Sequence, residues 1–204
     1  VNSVIDHEKQ HVDAIGASFG ATVELLHFWK NAGFEMVRMG FTRDHASATH
    51  SAVMLLPCNN DGVDVFNLLR KKFQRYLPIW LADSLKNISI EMKECLEQEV
   101  NQDNSDLSQQ DWKDIKSFAV TNRGYEACSW PVKKWLKDYP QLIEQLNDSE
   151  QKLVQAKIQR NMDWLEVVSL IGLSGRAEAI EKLRRAIEKM INLYDAEENE
   201  RKGF

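Results

Sequence analysis

Between residues 12 and 40, the pattern of apolar and polar positions predicts a strand, a helix and a second strand. The apolar run from Val12 to Phe19 is too short for a core helix, and it ends at Gly20. Thr22 is placed to cap the following helix, and Gly33 is placed to end it in a left-handed conformation. Within that helix the apolar residues recur at helical spacing, at Leu25, Phe28 and Trp29.

A third strand, SAVMLLP, is predicted at residues 51–57, before a turn-forming cluster at residues 58–62. Beyond this cluster the pattern predicts helices and no strand. The expected fold class is therefore α/β for residues 1–57, followed by an all-α tail at residues 58–204. The predicted helices of the tail are 63–76 with an interruption at Pro78, one or two within 80–100, two beginning near Ser108 and Pro131, and three covering about 149–158, 164–173 and 176–196. A new segment is expected to begin at Pro140.

Several stretches carry a resemblance to a known family. The order strand, helix, Gly-Phe, strand resembles the C-terminal half of an acetyl-CoA-dependent N-acetyltransferase (GNAT) fold. The sequence SFGATVELLHFWKNAGFEMVRMG at residues 18–40, followed by Arg43-Asp44-x-Ala46-Ser47 and SAVMLLP, is similar to bacterial tRNA(Met) cytidine acetyltransferases, the TmcA family. The similarity continues at Gln159-Arg160-Asn161 and at Leu173-Ser174-Gly175-Arg176.

This resemblance implies that residues 1–57 are the back portion of a GNAT domain and that residues 58–204 are a helical tail that binds tRNA. It implies a cytoplasmic parent enzyme that transfers acetyl from acetyl-CoA to N4 of a cytidine, at the wobble position of elongator tRNA-Met. ATP hydrolysis would take place in a helicase-like module upstream.

Two features that such a parent needs are missing from the 204 residues. A loop that cradles the pyrophosphate needs several glycines, and no such loop occurs. The ATP-binding pattern GxxxxGK[ST] does not occur either. We therefore expect a C-terminal fragment that is inactive alone and whose partners are tRNA and the upstream helicase-like and acetyltransferase segments. We also expect self-association through the exposed strands of the truncated domain.

The resemblance also suggests residues of the acetyl-transfer site. Glu24 and Asn31 occupy family positions at the acetyl-CoA, although the family has a basic residue where this chain has Asn31. His45 and His50 flank the connection between the last two strands and are candidate bases for the proton that the amine loses. Arg43 is a candidate phosphate contact, and an ordinary solvated loop position is the alternative interpretation for it and for both histidines.

Basic residues in the predicted tail suggest an RNA-binding surface. The functional interpretation of these residues is a surface that binds the phosphates of tRNA, because nucleic-acid affinity is largely electrostatic. The alternative is an ordinary solvated helix, since acidic residues lie four positions from several of these cations in the last helix. The candidates are Arg70, Lys71, Lys72 and Arg75 in the first tail helix, and Arg176, Lys182, Arg185 and Lys189 in the last.

Composition narrows the classes of function. The net charge of −5 gives no overall nucleic-acid signature. The 3 cysteines form no CxxC pair, so we expect neither a zinc site nor a disulfide framework. No apolar stretch is long enough for a membrane-spanning helix, so no membrane partner is expected. Two other functions stay open, a non-catalytic helical module that contacts protein and a GNAT enzyme acting on protein or small-molecule amines.

Overall fold

The computed structural model describes residues 12–44, 48–101, 105–121 and 123–203. These residues form two compact units. The first contains the described residues among 12–81 and 85–101, and the second contains those among 82–84 and 105–203.

The first unit is built on a three-stranded sheet. Its strands are β1 (Ala14–Gly20), β2 (Glu35–Arg43) and β3 (His50–Pro57), in the order β1-β3-β2. Because β3 is antiparallel to both neighbours, β1 and β2 run parallel, and helix α1 (Val23–Asn31) connects them. The outer strands β1 and β2 have no second strand partner among the described residues.

Local signals in the sequence account for the ends of α1. The Thr22 hydroxyl accepts a hydrogen bond from the Leu25 backbone N–H at 3.3 Å, which satisfies one of the free donors of the first turn. Gly33 has a φ of 88°, a conformation that glycine adopts without steric cost. Trp29 stacks on Phe19 of β1 and packs edge-on against Phe34, so the helix lies on the sheet. The predicted cap and stop are both confirmed.

Two helices complete the first unit, α2 (Asn60–Ala82) and α3 (Ile90–Glu97). The sequence predicts an interruption at Pro78, but α2 continues through it to Ala82. A proline removes its own N–H donor and crowds the carbonyl of the preceding turn, but Pro78 lies on the exposed side, while Trp80 and Leu81 bury the last turn. Apolar burial therefore outweighs the lost hydrogen bond.

Gly62 explains how α2 approaches the sheet. A Cβ atom at this position would lie 1.7 Å from the backbone oxygen of Asp13, so only glycine fits. The Asn59 side chain accepts from the Gly62 N–H at 2.8 Å and donates to the Asp13 carboxylate at 2.7 Å. The first turn of α2 is thereby fixed against the start of β1.

The second unit is helical. Its core contains Trp135, Phe118, Tyr125 and Ile187, which are all fully buried or nearly so. Its elements are α4 (Gln109–Val120), a 3-10 turn (Tyr125–Ala127), α5 (Ser129–Asp138), α6 (Gln141–Glu144), α7 (Asp148–Val154), a π-helical turn (Gln155–Gln159), α8 (Trp164–Ile171) and α9 (Arg176–Lys202).

The predicted fold class, α/β followed by all-α, is confirmed, and within the described residues no strand follows β3. The last helix runs to Lys202, beyond its predicted end near residue 196. The compact units do not divide at residue 57, because α2 and α3 belong to the unit that contains the sheet.

Candidate functional site

A cleft of about 550 Å³ opens at the N-terminus of α1 in the first unit. Three segments line it: the start of α1 at residues 21–24, the facing parts of β2 and β3, and residues 88–92 at the start of α3. The N-termini of α1 and α3 therefore meet at the same cleft. The positive ends of two helix dipoles favour negative charge there.

Glu24 lies in the lining of this cleft, in the first turn of α1. Its own backbone N–H and the hydroxyl of Thr22 hold its carboxylate and lower its pKa. The group is therefore ionised at neutral pH and accepts hydrogen bonds. A ligand in the cleft would meet it with an N–H or O–H donor, since a phosphate would be repelled.

The second predicted cofactor residue, Asn31, is exposed at the other end of α1 and does not line the cleft. Its neighbour Lys30 forms an ion pair with the buried carboxylate of Glu99. The structure therefore brings Glu24 to the cleft and uses Lys30 for internal packing.

Arg43 and His50 line the cleft at the ends of β2 and β3. The His50 Nδ1 lies 2.9 Å from the Gly40 carbonyl oxygen, which requires a proton on Nδ1, and its Nε2 accepts from the Arg43 Nε at 3.4 Å. Arg43 also donates to the Asn87 carbonyl. Burial lowers the pKa of His50, and the positive charge of Arg43 adds to this, although the Gly40 carbonyl opposes it.

This geometry argues against His50 as a general base, because its one free lone pair faces a guanidinium. Arg43 instead is exposed with part of its guanidinium directed to neutral acceptors, so it retains a full charge for an anion in the cleft. The other candidate base, His45, lies outside the described residues.

Arg70 is held inside the first unit. Its guanidinium pairs with Glu35 at 2.9 Å and with Glu99, and it donates to the Met36 carbonyl at 2.8 Å. The side chain is 13% exposed, so a phosphate contact would require breaking this cluster. We therefore leave Arg70 out of the proposed RNA surface. Lys71, Lys72 and Arg75 lie further along the same helix, where Lys71 is exposed and the Lys72 ammonium lies 5.4 Å from the Tyr76 ring.

The four candidate RNA-binding cations of α9 are each paired with a carboxylate. The Ser174 backbone N–H and hydroxyl and the Lys182 ammonium lower the pKa of Glu178 to about 2, so Lys182 faces a permanent negative charge. Arg176 pairs with Glu126 at 3.2 Å and lies over the ring of Trp164. The partners of Lys182, Arg185 and Lys189 are Glu178 at 3.2 Å, Glu181 at 3.1 Å and Glu150, respectively.

Sequence reasoning missed a buried ion pair in the second unit. Lys157 is fully buried in the π-helical turn, and its ammonium lies 2.7 Å from the Asp83 carboxylate. It also donates to the Met162 carbonyl at 2.8 Å and lies 4.5 Å from the Trp164 ring. Burial lowers the pKa of Lys157, and Asp83 opposes that shift. The mixed polar and apolar sequence around Lys157 gave no signal of a partner 74 positions away.

Other classes of site find no support among the described residues. No group of three or more His, Cys, Asp or Glu side chains is arranged to hold a metal. Cys58, Cys95 and Cys128 are free thiols. In the part of the chain that the structure describes, no helix is both long and apolar enough to span a bilayer.

Comparisons with known proteins place the chain in a family. The family model "GNAT acetyltransferase 2" matches residues 1–59, and the model "tRNA-binding domain" matches residues 70–197. The chain belongs to the TmcA family. The TmcA relative of Nitrosococcus halophilus, named tRNA(Met) cytidine acetyltransferase, is 34% identical over 88% of this chain and 25% of its own length.

Two further TmcA proteins are similar to the chain. The Haemophilus ducreyi protein is 30% identical over 63% of this chain and 20% of its own length. The Haloarcula marismortui protein is 24% identical over 90% of this chain and 24% of its own length. The chain therefore spans about a quarter of the length of these relatives. The first family model ends at residue 59, and the second begins at residue 70. The compact units divide further along the chain. Because these boundaries differ, the domain boundary at residue 57 stays a prediction.

Proposed function

We propose that this chain is part of an enzyme that transfers acetyl from acetyl-CoA to N4 of a cytidine in tRNA(Met). In this reaction the N4 nitrogen attacks the thioester carbonyl, an amide C–N bond forms, the C–S bond breaks, and the amine proton leaves with CoA as the thiol. The pairing of an acetyltransferase model with a tRNA-binding model on one chain carries the proposal. The same pairing favours RNA over protein or small-molecule amines as the acceptor.

Acetyl-CoA fits the cleft of the first unit in part. Glu24 would accept a hydrogen bond from an N–H or O–H group of the coenzyme, and Arg43 offers the positive charge that a phosphate needs. The coenzyme would supply the activated acyl group. Asn31 is too far along α1 to share this cleft, so in our proposal it contributes only if the bound coenzyme extends along the helix.

The second unit would hold the tRNA. The tRNA-binding model covers all of its helices except the extreme end of α9, and the unit carries exposed cations on several helices. A wobble-position acceptor, an ATP-hydrolysing module elsewhere in the parent, a cytoplasmic location and association through the outer strands of the sheet remain further parts of this proposal.

The substitution Glu24→Ala in the full-length enzyme tests the acetyl-transfer half. Loss of a hydrogen bond to a carboxylate should raise the KM for acetyl-CoA by roughly tenfold or more, with the affinity for tRNA unchanged. Asp64→Ala is the matched control, because Asp64 is an exposed carboxylate of the first unit that lies outside the cleft. Unchanged kinetics in the Glu24 variant would remove Glu24 from the site.

A further inference from the structure

The π-helical turn of the second unit ends against a lysine of another helix. Asn161 follows this turn in a left-handed conformation, with a φ of 53°, which asparagine tolerates at a helix end. Its side-chain oxygen accepts a hydrogen bond from the Lys133 ammonium of α5 at 2.9 Å. The contact fixes α5 and the end of the turn side by side.

Lys133 is half-buried, yet its bonded partner is a neutral amide. The carboxylate that acts on it electrostatically is Asp83, and both oxygens of Asp83 are already bound by Lys157. Burial lowers the pKa of Lys133, and Asp83 only partly opposes this shift. Partly buried charges in proteins are normally paired with an opposite charge, so this ammonium has capacity for an anion.

Two more cations lie close along the chain to this lysine or to its partner Asn161. Lys137 is one turn further along α5, and Arg160 is the residue before Asn161. Both are exposed, and within the described residues neither forms an ion pair with a carboxylate. The nearby carboxylate of Asp138 is paired with Lys134 at 2.8 Å. The candidate cations Lys182, Arg185 and Lys189 of α9 differ, because each forms an ion pair with a carboxylate.

We propose that Lys133, Lys137 and Arg160, which we call the turn patch, contact phosphates of the tRNA backbone. Asn161 is a positioning residue in this patch, since it orients the Lys133 ammonium. The inference rests on the proposed function, because it assumes that the second unit binds tRNA. The proposal places the phosphate contacts at the end of α5 and the π-helical turn, and it excludes phosphate contacts by the basic face of α9.

A charge-matched pair of double variants of the 204-residue chain tests the patch. Lys137→Ala with Arg160→Ala removes two exposed cations of the patch. Lys113→Ala with Lys152→Ala removes two exposed cations elsewhere in the same unit that form no ion pair within the described residues. We expect the patch variant to weaken binding of tRNA(Met) roughly tenfold and to lower the slope of log K against log salt by about 1.5. The control variant should stay within about twofold of wild type.

A second test places a carboxylate where the patch lacks one. Asn161→Asp is isosteric and keeps a residue that tolerates the left-handed conformation, but it neutralises Lys133. Asn147→Asp adds the same charge at the start of α7, beside the Glu150 and Lys189 pair, and aspartate is equally suited to that cap. We expect roughly tenfold weaker tRNA binding for Asn161→Asp and little change for Asn147→Asp.

The outcomes separate the patch from the proposed function. If the wild-type chain binds tRNA and only the control double variant or Asn147→Asp weakens binding, the turn patch is wrong and tRNA binding stands. Equal binding by all variants overturns the patch in the same way. If the wild-type chain fails to bind tRNA at about 50 mM salt, the tRNA-binding part of the proposed function fails as well. A competition experiment adds inorganic phosphate or unlabelled tRNA, at equal concentrations of phosphate groups, to the chain bound to labelled tRNA. If inorganic phosphate displaces the labelled tRNA as well as unlabelled tRNA does, the patch is a simple anion site and not an RNA contact.

Discussion

The two units balance their internal charges in opposite ways. In the first unit, Lys30 and Arg70 both pair with the single buried carboxylate of Glu99. In the second unit, the buried carboxylate of Asp83 acts on two cations, and it bonds only one of them, Lys157. At Glu99 one carboxylate therefore neutralises two cations, whereas in the second unit Lys133 is left with a neutral hydrogen-bond partner.

The difference shows that a basic residue is available to RNA only where the surrounding carboxylates do not already neutralise it. Arg70 belongs to a basic run in the sequence, but its charge is neutralised by ion pairs with Glu35 and Glu99. Lys133 also belongs to a basic run, with Lys134 and Lys137, yet its ammonium binds a neutral amide, and Arg160 is exposed. Charge clusters in sequence and available charges in space are therefore different sets.

Removing the Asp83 carboxylate from the second unit should have the largest effect on stability. Asp83→Asn leaves the Lys157 ammonium buried without a counter-ion, which costs about 3–5 kcal/mol in comparable cases. We expect the free energy of unfolding of the second unit to fall by that amount. Urea unfolding combined with hydrogen exchange of α5 and α8 measures it.

The double variant Asp83→Asn with Lys157→Met provides the control, because it removes both charges and keeps the volume of the chain interior. It should recover most of the lost stability. Equal stability of Asp83→Asn and wild type would show that the ion pair does not hold this unit together.

Removing the Glu99 carboxylate from the first unit should have a smaller effect on stability. Glu99→Gln keeps a hydrogen-bond acceptor, and Lys30 is 34% exposed, so water can solvate the released ammonium. We expect a loss of about 1.5–3 kcal/mol from the charged hydrogen bonds. Glu97→Gln, which changes an exposed glutamate at the end of α3, two residues before Glu99, should unfold like wild type in urea. An equal loss in both variants would contradict a special role for Glu99.

The same carboxylate predicts a pH dependence. Burial alone would raise the pKa of Glu99, but the hydrogen bonds and charges of Lys30 and Arg70 reverse this and lower it below its ordinary value of 4.5. A lowered pKa adds stability that is complete above about 4.5 and is lost as the pH falls through the folded-state pKa. The stability difference between wild type and Glu99→Gln should therefore shrink below about pH 4.5, and a constant difference down to pH 3 would contradict this.

The paired cations of α9 should give the smallest effect. Lys182→Ala and Arg185→Ala each break an exposed pair four residues apart on a helix, and such pairs contribute about 0.3–0.5 kcal/mol. Thermal unfolding should change little, and tRNA affinity should change less than in the turn-patch variant. A tenfold loss of tRNA affinity in either single variant would place the RNA on α9.

The features that sequence analysis predicted correctly depend on neighbours in the chain. The cap at Thr22 and the stop at Gly33 follow from residues within one helical turn. Chain-local signals also predicted the start of α4 at Ser108, which forms a full capping box with Asp111. The motifs of the family resemblance are likewise short runs of consecutive residues, so the sequence alone was enough to find them.

The features that sequence analysis missed depend on partners far along the chain. The pairing of Arg70 with Glu99 joins residues 29 positions apart, and that of Lys157 with Asp83 joins residues 74 positions apart. The continuation of α2 through Pro78 depends on burial of Trp80 and Leu81, and the π-helical turn follows a helix with no proline or glycine to mark it. Spacing along the sequence cannot show which of these contacts the fold creates.

The most direct test of the account is a titration of labelled tRNA(Met) with the 204-residue chain at about 50 and 200 mM salt. Phosphate contacts release counter-ions, so log K should fall with log salt at roughly 0.7–0.9 per contact. For about three to five contacts, the account predicts clear binding at the lower salt and a loss on the order of tenfold to several-hundredfold at the higher. No binding at the lower salt, or an affinity that ignores salt, would contradict a second unit that holds tRNA through the cations of the turn patch.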